Sequence, residues 1–157
     1  MEDIRRQIRG QAPSSDVFRE RDVISILVRY LRENDWEVQV EIQVKGGKID
    51  IGAEKEGKIL LIEAKGEDRG PGGTAEMNFQ VGLGQLMMRM KQKEAEYGLA
   101  FPLTNNFKRV LRKYRENFAF EKLGIYLIPV TRDGTCQLIS PNNAVKFLDE
   151  IAKMKLT

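Results

Sequence analysis

Asp50, Glu63 and Lys65 are two carboxylates and an ammonium within one short stretch, 48–65, KIDIGAEKEGKILLIEAK, which reads as a β-hairpin. Its second half contains Ile59, Leu60, Leu61 and Ile62 without interruption, the pattern of a strand covered on both faces, and then meets charge at Glu63-Ala64-Lys65. With Glu56-Gly57 as a two-residue turn, Lys55 pairs with Lys58, and counting back sets Asp50 opposite Glu63. Alternation along the strands puts Lys65 on the same face. Opposed carboxylates destabilise a ladder unless a cation lies between them, and a divalent metal would supply that charge. The 157 residues include no histidine, which excludes imidazole bases and histidine-built zinc sites. Carboxylates and lysines must carry the chemistry, and oxygen donors select hard cations.

The elements that must position these residues follow from periodicity. Residues 1–13 are polar, with Arg5, Arg6 and Arg9, and are expected to form a flexible N-terminal arm; residues 14–157 are expected to form one domain. From Asp16, an N-cap residue type, a helix is expected to run to about Asn34 with Val17, Ile24, Leu27 and Leu31 in one stripe. Glu20 falls in that stripe and admits two readings. It is a first-turn glutamate favoured by the helix dipole, or a third carboxylate for the metal. Trp36 to Val44 alternates as a strand with one wet face, which makes Glu41 a competing acid or simply a solvated one. Gly46-Gly47 turns the chain into the hairpin, and the Gly- and Pro-rich run 66–74 leaves it as a loop.

A helix over about 78–93 should bury Phe79, Leu83, Leu86 and Met90, with Asn78, Gly82, Gln85 and Arg89 along an adjacent face. Two glycines in one helix cost about 1 kcal/mol each relative to Ala, so a close approach to the sheet or to a ligand is expected to compensate. Gln85 on that face is a solvated glutamine or a site residue, while Met87, Met88 and Met90 read as core filler. A strand over 97–101, a helix over 107–121 with Phe107, Tyr114 and Phe118 inward, a hairpin of 125–130 and 135–139 across Asp133-Gly134, and a helix over 144–154 with Val145, Leu148 and Ile151 inward complete the chain. The 107–121 helix turns out Lys108, Arg109, Arg112, Lys113 and Arg115, a basic ridge that is either a solvated face or a contact for a phosphate backbone.

Composition bounds the rest. No apolar run approaches the ~20 residues of a membrane helix, and the lone Cys136 with no leader-like N-terminus suggests a reducing cytoplasm. A net charge of +3 permits nucleic-acid binding without demanding it. No phosphate-loop motif is present, and Gly82-Leu83-Gly84 lacks the third glycine and preceding strand of a dinucleotide fingerprint, so no nucleotide cofactor is expected.

The order helix, three strands, helix, strand, with Asp50 in the second strand and Glu63-Ala64-Lys65 in the third, resembles the PD-(D/E)xK, restriction-endonuclease-like nuclease superfamily. That resemblance implies an α/β fold with an αβββαβ core, a mixed central sheet flanked by helices. Ile49-Asp50 stands where the family often has Pro-Asp. Two subfamilies are most similar. Phe18-Arg19-Glu20-Arg21, Asp50 and Glu63-Ala64-Lys65 resemble the archaeal-type Holliday-junction resolvases over roughly 14–66. IDIGAEK (49–55), IEAK (62–65), VGLGQL (81–86) and AFPL (100–103) resemble the cyanobacterial excision-controlling factor H family, which acts in DNA-element excision.

The resemblance implies a metal-dependent nuclease acting on DNA in recombination, rearrangement, restriction or repair. Asp50, Glu63 and the Ala64 carbonyl would hold Mg²⁺ or Mn²⁺, Glu20 would complete the site, and Lys65 would orient water and stabilise charge on phosphorus, with Gln85 beside them. Arg89 and the basic ridge would contact DNA. The alternative is a non-catalytic DNA-binding accessory protein that works with recombination partner proteins. RNA is an alternative substrate for the same residues. Cutting two strands symmetrically would require a homodimer.

Overall fold

A computed structural model of the protein describes residues 17–67 and 74–156. The expected arm, the expected N-cap Asp16 and positions 68–73 of the expected loop lie outside the described residues.

The fold is built on the apolar strand. β3 (Lys58–Ala64) is buried from Leu60 to Ala64 and takes the centre of a five-stranded sheet ordered β1-β2-β3-β4-β5. β1 (Glu37–Val44) and β2 (Gly47–Lys55) form an antiparallel hairpin, and β2 runs antiparallel to β3. β4 (Glu96–Pro102) and β5 (Ile125–Val130) continue parallel to β3, so the sheet is mixed. Parallel strands need covered faces, and helices cover both. On one side α1 (Glu20–Glu33) lays Val23, Leu27 and Leu31, with Phe18 just before it, against Ile51, Ala53, Leu60 and Ile62. On the other, α2 (Ala75–Arg89), α3 (Asn105–Arg112), α4 (Ala119–Leu123) and α5 (Ala144–Lys153) join Leu61, Leu99 and Phe101 around Phe79, Phe107 and Leu148. Each such side chain contributes about 1.5–3 kcal/mol by leaving water.

Several local expectations are corrected. α1 begins at Glu20 behind Arg19, whose N–H donates to Asp22 Oδ2 at 3.0 Å. α2 spans Ala75–Arg89 behind a Thr74 cap, and Met87 and Met88 are exposed on its outer side rather than filling the core. The helix expected over 107–121 is two helices. Glu116 adopts φ +66°, which no helix continues through, and the Asn117 side chain accepts the Ala119 N–H at 2.8 Å to start α4. Phe120 is therefore the buried ring, stacked edge-on against Phe79, while Phe118 is 65% exposed. The segment 135–139 makes only isolated bridges to β5, Val130 to Cys136 and Leu127 to Ile139, after the expected turn at Asp133-Gly134. α5 buries Ala144, Phe147, Leu148 and Ile151, with Val145 half-buried. No helix among the described residues is long and apolar enough to cross a membrane.

Candidate functional site

The Glu56-Gly57 turn has φ +50° and +81°, both positive as a two-residue hairpin turn requires, and Lys55 faces Lys58. The register runs from there to Ile51 opposite Ile62 and sets Asp50 beside Glu63. Backbone pairing between β2 and β3 ends at that step. The Ala64 N–H, which an uninterrupted ladder would aim at the Ile49 carbonyl, donates instead to Asp50 Oδ2 at 2.8 Å. One oxygen of Asp50 is thereby pinned to the backbone of the residue that follows Glu63.

Glu63 is 6% exposed and is the one charged residue that is buried among the described residues. Its Oε1 has no hydrogen-bond partner there. Burial, and after it the negative charge of Asp50, pushes its carboxyl from 4.5 up to about 7, against the opposing pull of Lys65 and Arg89. A buried carboxylate with an orphaned oxygen and a like charge beside it is a poor structural element and a ready ligand for a cation.

Lys65 lies just beyond β3, its N–H donating to the Ala100 carbonyl at 3.0 Å. Its side chain is 15% exposed and its stem crosses beneath α2 at Gly82. A Cβ at Gly82 would stand 2.8 Å from Lys65 Cγ and 2.9 Å from Leu99 Cδ1, so only glycine lets the helix pass there. That is the close approach the sequence anticipated for this glycine. A Cβ at Gly84, by contrast, would meet nothing within 4 Å among the described residues. The Lys65 ammonium reaches Glu20 Oε1 at 3.9 Å. Gly66 makes this meeting possible, because any side chain there would fall on the backbone at Arg19 and Glu20. The Glu67 N–H donates to the Phe18 carbonyl at 2.8 Å, and Asn78 Nδ2 to the Gly66 carbonyl at 2.6 Å, which ties the end of β3 to the start of α1 and to α2.

Glu20 is thus brought to Lys65. No group of three or more His, Cys, Asp or Glu side chains that could hold a metal occurs among the described residues. Gln85 follows Gly82 by one turn and keeps its Oε1 buried without a hydrogen-bond partner among the described residues. Arg89, a further turn along, donates Nε to the Lys48 carbonyl at 2.7 Å and is near enough to lower the Glu63 pKa. The Lys48 carbonyl and the Gly66 backbone were invisible as site elements in the sequence, and the sole signal was a glycine directly after Lys65.

Mg²⁺ or Mn²⁺ fits the donors present. Asp50, Glu63 and the Ala64 carbonyl, which projects to the Asp50 side as its N–H does, would hold it, and a site of one or two carboxylates completed by water and substrate phosphate suits Mg²⁺.

The basic ridge divides. Arg112 donates to the Met154 carbonyl, Lys113 pairs with Glu76 at 2.8 Å, and Arg115 pairs with Asp149 at 3.0 Å. Arg109 bonds only the Asn106 side chain, at 3.1 Å, and Lys108 makes no ion pair among the described residues. Arg109 and Lys113 line a cleft of about 350 Å³ that also carries Glu67 and Glu76. The chain matches no protein-family model, and a search of curated proteins finds no relative.

Proposed function

We propose that the protein is a metal-dependent nuclease that hydrolyses DNA phosphodiester bonds at the Asp50, Glu63 and Lys65 site. The observation that carries this reading is the buried Glu63 carboxylate, with its orphaned oxygen, set between Asp50 and the Lys65 and Arg89 cations. The order α1, β1, β2, β3, α2, β4 also agrees with the αβββαβ core that the sequence resemblance implies.

A bound Mg²⁺ or Mn²⁺ supplies Lewis-acid polarisation of a phosphate oxygen and makes water more acidic. The chain's own residues do the rest. Asp50 is held by the Ala64 N–H and Glu63 by its burial, so both present oxygens without rearrangement. Lys65, threaded under Gly82 and steered by Glu20, offers a preorganised positive charge to the oxyanion that develops on phosphorus and a donor that orients the attacking water. Gln85 and Arg89 follow Gly82 along α2, and Arg89, anchored on the Lys48 carbonyl, would meet an adjoining phosphate as a fixed fork.

A second reading, a non-catalytic DNA-binding accessory that acts with recombination partner proteins, is favoured by the placement of Glu20. It stands with Lys65 rather than forming a three-carboxylate cluster among the described residues. Incubation of linear, branched and single-stranded DNA with and without Mg²⁺ or Mn²⁺, alongside RNA, separates these. Metal-dependent cleavage supports the enzyme, and none on any substrate supports the accessory.

A further inference from the structure

β1 contains a residue that regular strands exclude. Glu41, in mid-strand, has φ +51°, a left-handed backbone that is strained in any non-glycine residue. The ladder pairs Val40 with Ile51 and then Ile42 with Ile49, and the pair between them, Glu41 and Asp50, is missing.

Core membership shows what this break does. Val38, Ile51 and Ala53 lie in the cluster under α1, while Ile49, with Ile42 and Val44, belongs to the cluster under α2. Residues two apart in a strand share a face, so both strands roll over at the Glu41 and Asp50 step. Val40 is left 49% exposed beside α1 as Ile42 crosses to the other side. Gly52 accommodates the roll, since a Cβ there would fall on Ile42 Cδ1. The rolled tip then seats on the end of α2. Gly46 and Gly47 have φ +99° and +137°, and a Cβ on them would stand 3.0 Å from the Met88 carbonyl and 3.1 Å from Arg89 Nε. Asp50 stands at this step. Ile49 has no pair in β3, and the Ala64 N–H, which an uninterrupted ladder would aim at the Ile49 carbonyl, donates to Asp50 Oδ2.

We propose that Glu41 is a positioning residue for the site, and that its left-handed backbone, not its carboxylate, fixes Asp50 against Ala64 and Glu63. The catalytic consequence rests on the nuclease reading; the placement of Asp50 does not. A β-branched residue is the least tolerant of φ near +50°, whereas glycine adopts it freely.

The test compares Glu41→Val, Glu41→Gly and Glu41→Gln in the full chain. It reads hydrogen exchange at the Ala64 amide, Mn²⁺ affinity by calorimetry, and the kcat and KM for DNA. In Glu41→Val, Ala64 exchange should rise and Mn²⁺ affinity and kcat should fall, each on the order of tenfold or more, with KM little changed, as expected when one hydrogen bond opens locally without global unfolding. Glu41→Gly and Glu41→Gln should both stay close to wild type, since the first keeps the backbone and the second keeps everything but charge. Should Glu41→Val not fold, the smaller β-branched Glu41→Thr should give the same pattern. Unchanged Ala64 exchange in the folded Val or Thr variant overturns the proposal, as does equal loss in Glu41→Gly and Glu41→Gln. If no protein in the series cleaves DNA while Ala64 exchange still follows the expected order, the nuclease reading falls and the positioning role stands.

Discussion

Asp50 Oδ2 accepts the N–H of Ala64 at 2.8 Å, so the side chain of one candidate ligand is bonded to the backbone of the residue beside the other, Glu63. The two carboxylates are therefore coupled through the strand end as well as through space. Mn²⁺ titrated calorimetrically should bind one site at neutral pH and above. Asp50→Ala with Glu63→Ala should abolish binding. Affinity should also weaken below pH 7, where a proton occupies Glu63 and competes with the cation. Equal binding by wild type and the double variant would refute the site.

The same pair sets a pH dependence of stability in metal-free protein. The folded-state pKa of Glu63, about 7, lies above its ordinary value of 4.5, so the folded chain holds this proton more tightly than the unfolded chain does. The contribution is fully present below 4.5 and is lost as pH rises through 7. Glu63→Gln should remove that slope and melt higher than wild type at pH 8. A wild-type melting temperature that rises from pH 5 to pH 8, with the slope unaltered by Glu63→Gln, would contradict the burial of a raised carboxyl here.

Lys65→Met retains the stem that lies under Gly82 and deletes the charge. Folding should change little, Mn²⁺ should still bind well above pH 7, where Glu63 is ionised without help from Lys65, and cleavage should fall by at least ~10²-fold, the scale of losing one preorganised charge-stabilising donor. Wild-type cleavage that survives this change would place the activity elsewhere in the chain.

Gly82 and Gly84 form a paired control. Gly84→Ala adds a methyl where no described residue lies within 4 Å, and should stabilise α2 by about 0.5–1 kcal/mol. Gly82→Ala would drive its methyl against Lys65 Cγ and Leu99 Cδ1, and should cost roughly 1–3 kcal/mol as overpacking. It should also lower cleavage by shifting the Lys65 stem. Thermal melts and cleavage rates of the two variants check this, and similar behaviour at both positions would contradict the close approach at Gly82.

For DNA binding the ridge should respond unevenly. Charge reversal of Lys108 and Arg109 should flatten the log-log salt dependence of binding by about 0.9 for each phosphate that is no longer neutralised. Reversal of Arg115, already paired with Asp149, should leave the slope unchanged. A slope insensitive to Lys108 and Arg109 would mark the ridge as a solvated face.

Period and turn chemistry alone fixed the β2-β3 hairpin. Glu56-Gly57 permits a single tight register, and the run Ile59–Ile62 demanded a covered strand, so the adjacency of Asp50 and Glu63 was legible in the order of residues. The close approach at Gly82 was legible for a similar reason, since a glycine within a helix needs compensation. Tertiary structure decided what local pattern cannot encode. β1 read as a strand with one wet face, yet a left-handed Glu41 rolls its outer half onto α2, because the tip must meet Met88 and Arg89 some forty residues away in the chain. Glu20 read as either a first-turn glutamate or a metal ligand, and the passage of Gly66 against the start of α1 brought it to Lys65. The ridge read as five outward cations, but a helix face does not reveal that Glu76, Asp149 and the Met154 carbonyl come from α2, α5 and the chain beyond it to engage three of them. Charge in a sequence gives the sign of a surface, and only the packing of distant elements decides which charges are left to meet a partner.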